Sequence, residues 1–406
     1  RTIMKKIIFI MLLAVASICS GCDKNGGGNA GNSYGFSYQD ALTAYDAFNA
    51  GLFEQGRGLY ARDTGKSGAV AVGWTQAMMF DMTMNAYKLT GDQKYLDLMR
   101  KHYEGVRDAF TFDWYDYSHW DLYDDMMWWV GSLARAYLLT GDEEYLKVSE
   151  EGFKRVWEGK PESMKNDGKG WNELDSKGSF GGDDNPQYGD GMYWDWKFGR
   201  IGKMACINYP TIIAAMELYK GTNKPEYLDK AKKVYKWASE NLFNPQTGAV
   251  ADSKHDGNSS PAWTMLVYNQ ATAMGSAAML YLETGDQKYL DHACAAMDYV
   301  VKEKSTANKV IKPEGNVDQS NLTDEMGIYN SILAQYIPIL IVDCGQEQYL
   351  DFIERSIETG WKNRDSRGLT NKFLEKRLNA SAPVSSYTAS GVPALMLTFP
   401  GLKDRR

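Results

Sequence analysis

Five stretches of this chain carry apolar residues three and four positions apart: Met78 to Leu89, Met126 to Leu139, Ile212 to Tyr219, Thr272 to Leu282 and Ile332 to Val342. That spacing gathers them on one face of an α-helix. Period-two alternation is sparse, so few strands are expected. Each stretch runs into a version of one phrase. Thr90-Gly91-Asp92-Gln93-Lys94-Tyr95-Leu96 returns as Thr140-Gly141-Asp142-Glu143-Glu144-Tyr145-Leu146 and as Thr284-Gly285-Asp286-Gln287-Lys288-Tyr289-Leu290. Looser copies run from Gly221 to Leu228 and from Gly345 to Leu350. Gly accepts the left-handed backbone that ends a helix. Asp or Asn then caps the next helix, and Tyr-Leu begins its apolar face. Each phrase is the tight turn of a helical hairpin.

Five such hairpins, with a weaker sixth from Trp361 to the C-terminus, make about twelve helices. A repeated array of this kind either stacks openly or closes into a ring. Irregular inserts such as Asn166 to Asp190 suit a ring whose loops build a site at one end. The expected fold is all-α: a single (α/α)6 barrel over residues 38–402.

The first residues follow another pattern. Lys5 and Lys6 precede an apolar run from Ile7 to Ile18, too short to span a bilayer as a mature helix and suited to an export signal. Cys19-Ser20-Gly21-Cys22 resembles a bacterial lipobox, with Cys19 where Leu is usual and Cys22 as the lipidated residue. Residues 1–22 are therefore expected to be a lipoprotein signal, the alternative being a plain secretory signal cut elsewhere. Met4 is the expected start, with Arg1 to Ile3 outside the natural product. Residues 23–37, rich in Gly, Asn and Ser, read as a flexible tether. The expectation is an exported chain, lipid-anchored to the cell envelope, with no other segment apolar enough for a membrane. Cys206, Cys294 and Cys344 then remain. They make no disulfide framework and read as small buried apolar residues.

A net charge of −7 without a basic stripe argues against nucleic acid. The 12 Trp and 26 Tyr suit a carbohydrate groove, although such rings also build ordinary cores. The candidate chemistry lies in Tyr123-Asp124-Asp125-Met126-Met127-Trp128-Trp129. Asp at a helix start commonly serves as a cap or complements the helix dipole. Adjacent carboxylates in an aromatic setting also suit acid–base work, one ionised and one protonated. Neighbouring helical positions can hold two short carboxyls at about the 5–5.5 Å of retaining glycosidases. Asp183, Asp184 and Asp190 lack calcium-loop spacing, and the four His are scattered, so no metal or cofactor is expected.

With that architecture, the chain resembles glycoside hydrolase family 76, the endo-α-1,6-mannanases. The likeness is carried by Trp74-Thr75-Gln76-Ala77, the Asp124-Asp125 segment, Gly189-Asp190-Gly191-Met192-Tyr193-Trp194, Lys203 to Asn208, Gly248 to Asp252 and Tyr268-Asn269-Gln270. It implies a retaining enzyme with Asp124 as nucleophile and Asp125 as general acid and then base; the residues alone are symmetric between those roles. Trp194, Asn208, Asp252, Tyr268 and Asn269 are candidate sugar contacts, each with a bland alternative: packing for the rings, a buried bridge for the Asn, an Asx cap for Asp252. Two segments depart from the family, and one is the loop between Trp157 and Gly182, which is long and Gly/Asp-rich. Where Phe-Lys-Gly and then Arg are usual, the chain reads Glu325-Met326-Gly327-Ile328-Tyr329, with Gln335 at the expected Arg. The implied partner is an α-mannan polysaccharide acted on by a monomer. The alternatives are a retaining hydrolase or transglycosylase for another α-linked glycan, and a non-catalytic glycan binder on the same scaffold.

Overall fold

The structure, a computed structural model, describes residues 35–405 apart from 66 and 183–188. The lipobox with Cys22, the tether up to residue 34, and Asp183 and Asp184 lie outside the described residues. Among these residues twelve α-helices carry the fold: α1 (Tyr38–Leu52), α2 (Gly73–Thr90), α3 (Gln93–Phe110), α4 (Tyr123–Thr140), α5 (Glu143–Glu158), α6 (Ala205–Thr222), α7 (Pro225–Asn241), α8 (Val267–Thr284), α9 (Gln287–Glu303), α10 (Tyr329–Pro338), α11 (Leu350–Lys362) and α12 (Ser386–Thr398). Two antiparallel strand pairs are minor: Phe53–Glu54 with Leu59–Tyr60, and Gly202–Met204 with Ser253–His255.

The even-numbered helices form a closed inner ring, each packed on the next and α12 returning to α2. The odd-numbered helices form the outer layer. Burial follows the sequence. Every residue of α6 from Ala205 to Leu218 is buried, as is every residue of α8 from Val267 to Leu280. Outer helix α3 instead buries a stripe of Tyr95, Met99, His102, Tyr103 and Val106. A helix apolar all round needs partners on every side, and only the inner ring supplies them. This is the expected (α/α)6 barrel.

The repeated phrase works as its chemistry suggests. Gly91, Gly141 and Gly285 have φ of 71°, 72° and 70°, a conformation that costs Gly little and other residues more. Asp92, Asp142 and Asp286 each accept the backbone N–H two residues on at 3.0 Å. The sixth pair departs from expectation. The chain after Trp361 does not form a hairpin; α12 pairs with α1, so the two ends of the domain together complete the ring. With short turns at one end, the long connections and the N-termini of the inner helices meet at the other.

Two smaller expectations need correction. Glu325–Asp343 is also long and apolar enough to cross a membrane, but it is barrel wall, 61% buried. Cys294 and Cys344 are only partly buried, Cys294 on outer helix α9 and Cys344 at the exposed end of the chain leaving α10; Cys206 alone is buried.

Candidate active site

The start of α4 is fixed from two sides. Leu122 is the N-cap and offers no side-chain bond, so neither Asp124 nor Asp125 caps the helix. Tyr123 Oη–H donates to Asp175 Oδ1 at 2.7 Å, and the Tyr123 N–H donates to the Trp194 carbonyl at 3.1 Å. Asp175 is fully buried and paired in fork geometry with Arg155 at 2.9 and 2.7 Å. The long insert between α5 and α6 thus holds the acidic turn in place. On the other side, Trp129 Nε1–H donates to the Gly73 carbonyl at 2.8 Å and ties α4 to α2.

The acidic turn opens into a cleft of about 450 Å³. Inner helices supply its walls from their first one or two turns: Trp74 of α2, Asp124, Asp125 and Trp128 of α4, Cys206 of α6, Tyr268 of α8 and Tyr329 of α10. Loops add Trp194, Asp252 and Glu325. The lining contains four carboxylates and no Lys, Arg or His among the described residues. Converging helix N-termini bring partial positive charge to this end of the ring, which favours anions there. Tyr268 and Tyr329 stack with ring centroids 4.1 Å apart, and Trp74 lies 5.9 Å from Trp128. Aromatic faces around carboxylates match what a sugar ring requires.

The two aspartates are not equivalent. Asp124 is 8% exposed, and burial raises its pKa to about 6, opposed by the Cys206 thiol and the Trp194 indole, which favour the ionised form. Its Oδ1 has no hydrogen-bond donor within reach. Asp125 is pushed well above the usual carboxylate range, first by burial and then by the charges of Asp124, Glu325 and Asp121. Asp124 is therefore the first of the two to lose its proton as pH rises. Burial also raises Asp252, opposed by the amide of Asn269. Glu325 is raised by burial too, and its Oε2 accepts the Trp74 Nε1–H at 2.6 Å.

Of the expected sugar contacts, Trp194, Asp252 and Tyr268 line the cleft. Asn208 does not. It is fully buried, its amide donating to the Met192 and Met204 carbonyls at 3.0 and 2.7 Å and its oxygen accepting the Met192 N–H at 2.8 Å. Both polar ends are consumed in bracing the loop before Trp194. Asn269 is likewise fully buried and sits behind Asp252, donating to its Oδ1 at 3.3 Å. Gln335 lies at the far end of the barrel, bonded to Asn85 at 2.8 Å, and so has no part in the cleft. The sequence reading missed Glu325 and Cys206 as cleft residues. Glu325 had a signal, since it stands in the segment that departs from the family; Cys206 had none beyond its neighbourhood.

A ring of paired helices with aromatic rings and carboxylates at its open end defines a carbohydrate-active (α/α)6 barrel. The sequence profile of glycosyl hydrolase family 76 matches residues 37–179 and 182–389, and the chain belongs to that family of glycoside hydrolases. The α-1,6-mannanase from Salegentibacter sp. HEL1_6 superposes with a TM-score of 0.74 at 25% identity, covering 90% of this chain and 99% of the other. An inactive variant of that enzyme, with two adjacent aspartates replaced by asparagine, is in complex with α-1,6-mannotriose; its TM-score is 0.73 at 25% identity, over 90% and 99% of the two chains. A family 76 mannosidase from Bacteroides thetaiotaomicron VPI-5482 shares the fold at 18% identity, with a TM-score of 0.71 over 91% and 98%. None of the curated proteins matches the chain in sequence.

Proposed function

We propose that this protein is a retaining, endo-acting hydrolase of α-1,6-mannan backbones. The observation that carries the reading is the electrostatic asymmetry of the acidic pair. Asp124, with a pKa of about 6 and two donors beside it, is the nucleophile. Asp125, held protonated by burial and three neighbouring carboxylates, is the acid. Asp124 attacks the anomeric carbon as the Asp125 proton passes to the departing glycosidic oxygen. The glycosyl ester is then opened by water, whose proton returns to Asp125. The Salegentibacter relative supports this reading, because its inactive variants carry changes at two adjacent aspartates. Asp124-Asp125 is such a pair, and the only one among the described residues. Lipidation at Cys22 would keep the enzyme at the cell envelope.

A second reading keeps the retaining chemistry but changes the glycan, or makes the acceptor a sugar rather than water. The acidic and aromatic Glu325-Met326-Gly327-Ile328-Tyr329 segment favours it, since Glu325 and Tyr329 both face the cleft.

The test is incubation of tether-free protein with linear α-1,6-mannan, following product size and the anomeric configuration of the first product by NMR. Early short oligosaccharides of retained configuration are expected, and Asp124→Asn and Asp125→Asn should each lose at least about a thousandfold in rate, the scale of a lost covalent or acid step. An inverted first product, or either variant still cutting mannan at a normal rate, would overturn the assignment.

A further inference from the structure

Glu325 is not explained by the two-aspartate scheme. Its neighbour Met326 turns outward and is 37% exposed. The backbone around Glu325 is well held. Asp324 caps the turn by accepting the Met326 N–H at 3.2 Å and is paired with Lys372 at 2.7 Å. Glu325 itself is half-buried in the cleft wall, and its Oε2 binds the Trp74 indole N–H at 2.6 Å. That bond sets the plane of Trp74 against Trp128, one turn of helix beyond the acidic pair. The other oxygen, Oε1, has no partner among the described residues and belongs to a group lining the space a sugar would fill. That oxygen is not among the buried atoms left without a partner, so it faces the open cleft, where a sugar hydroxyl can take the place of water as its donor.

We propose that Glu325 is a specificity-determining carboxylate of this cleft: one oxygen orients Trp74, and the other accepts a hydroxyl of the sugar held against the acidic pair. The proposal rests on the glycosidase reading above. The charge of Glu325 has a second consequence at the same place. Asp125 faces Asp124, Glu325 and Asp121, and all three oppose its ionisation. Glu325 itself faces Asp324 and the phenols of Tyr329 and Tyr387, with Lys372 engaged by Asp324. Removing the Glu325 charge therefore lets Asp125 give up its proton at lower pH.

The experiment compares wild type, Glu325→Gln and Glu325→Ala on linear α-1,6-mannan, with KM, kcat and the full pH profile measured for each. Melting temperatures establish that the variants fold. Glu325→Ala should lose roughly tenfold to a hundredfold in kcat/KM, the value of one hydrogen bond to a charged acceptor. Glu325→Gln keeps an acceptor for Trp74, and its alkaline limb should move to lower pH. A merely structural Glu325 would not move that limb. If wild type cuts mannan and both folded variants keep its kcat/KM and pH profile, the proposal is overturned while the glycosidase reading stands. If wild type neither cuts nor binds mannan, the glycosidase reading falls and takes this inference with it.

Discussion

Replacing Asp124 by Asn should destroy activity and make the protein more stable at neutral pH. Asp124 is 8% exposed, and burial moves its pKa from 3.8 to about 6. A folded-state pKa above the unfolded one means that the folded state holds its proton longer as pH rises. The contribution of Asp124 to stability is then full below about pH 4, falls between about pH 4 and 6, and is flat beyond, because only in that window does this group bind different numbers of protons in the two states. Two units at 1.36 kcal/mol each give about 3 kcal/mol of lost stability near neutral pH. Asn is isosteric and cannot ionise, so Asp124→Asn should recover that amount. For a domain of about 370 residues, 3 kcal/mol corresponds to roughly 4 °C in Tm. The assay is thermal unfolding of wild type and variant at about pH 7.5 and again near pH 4, the limits of the linkage window. The variant should melt higher at the first pH and equally at the second. A variant that melts no higher than wild type near neutrality, or a gap of the same size at low pH, would refute the argument that the site stores strain as a buried charge.

Two further outcomes follow from the supports of the pair. Cys206→Ala removes a thiol that favours ionised Asp124, so the acid limb of kcat/KM should move to higher pH with little change in Tm; an unmoved limb would show that the thiol does not act on the nucleophile. Asp175→Ala strands the fully buried Arg155 and frees Tyr123. It should cost about 3–5 kcal/mol, as for other broken buried pairs, and lower kcat by loosening the start of α4. A variant of unchanged denaturation midpoint would mean that the insert does not anchor the acidic turn.

By itself the sequence determined the repeating unit. Gly91, Gly141 and Gly285, each followed by Asp and then Tyr-Leu, encode turns and caps through local backbone chemistry, so the helix count and the hairpins before the last pair could be read from the repeats. The acidic pair was legible for the same reason: adjacency in sequence is adjacency in space. Closure was not legible. The pairing of α1 with α12 joins residues more than three hundred positions apart, and only the closed ring gives the apolar faces of α12 partners on every side. The cleft was also decided by the ring, which collects first turns from separate helices and leaves Glu325 beside Asp125. Asn208 and Asn269 show the converse. Their residue type allowed sugar binding, but tertiary burial committed both ends of the Asn208 amide to Met192 and Met204 and the Asn269 N–H to Asp252, because a buried amide N–H without an acceptor would destabilise the fold.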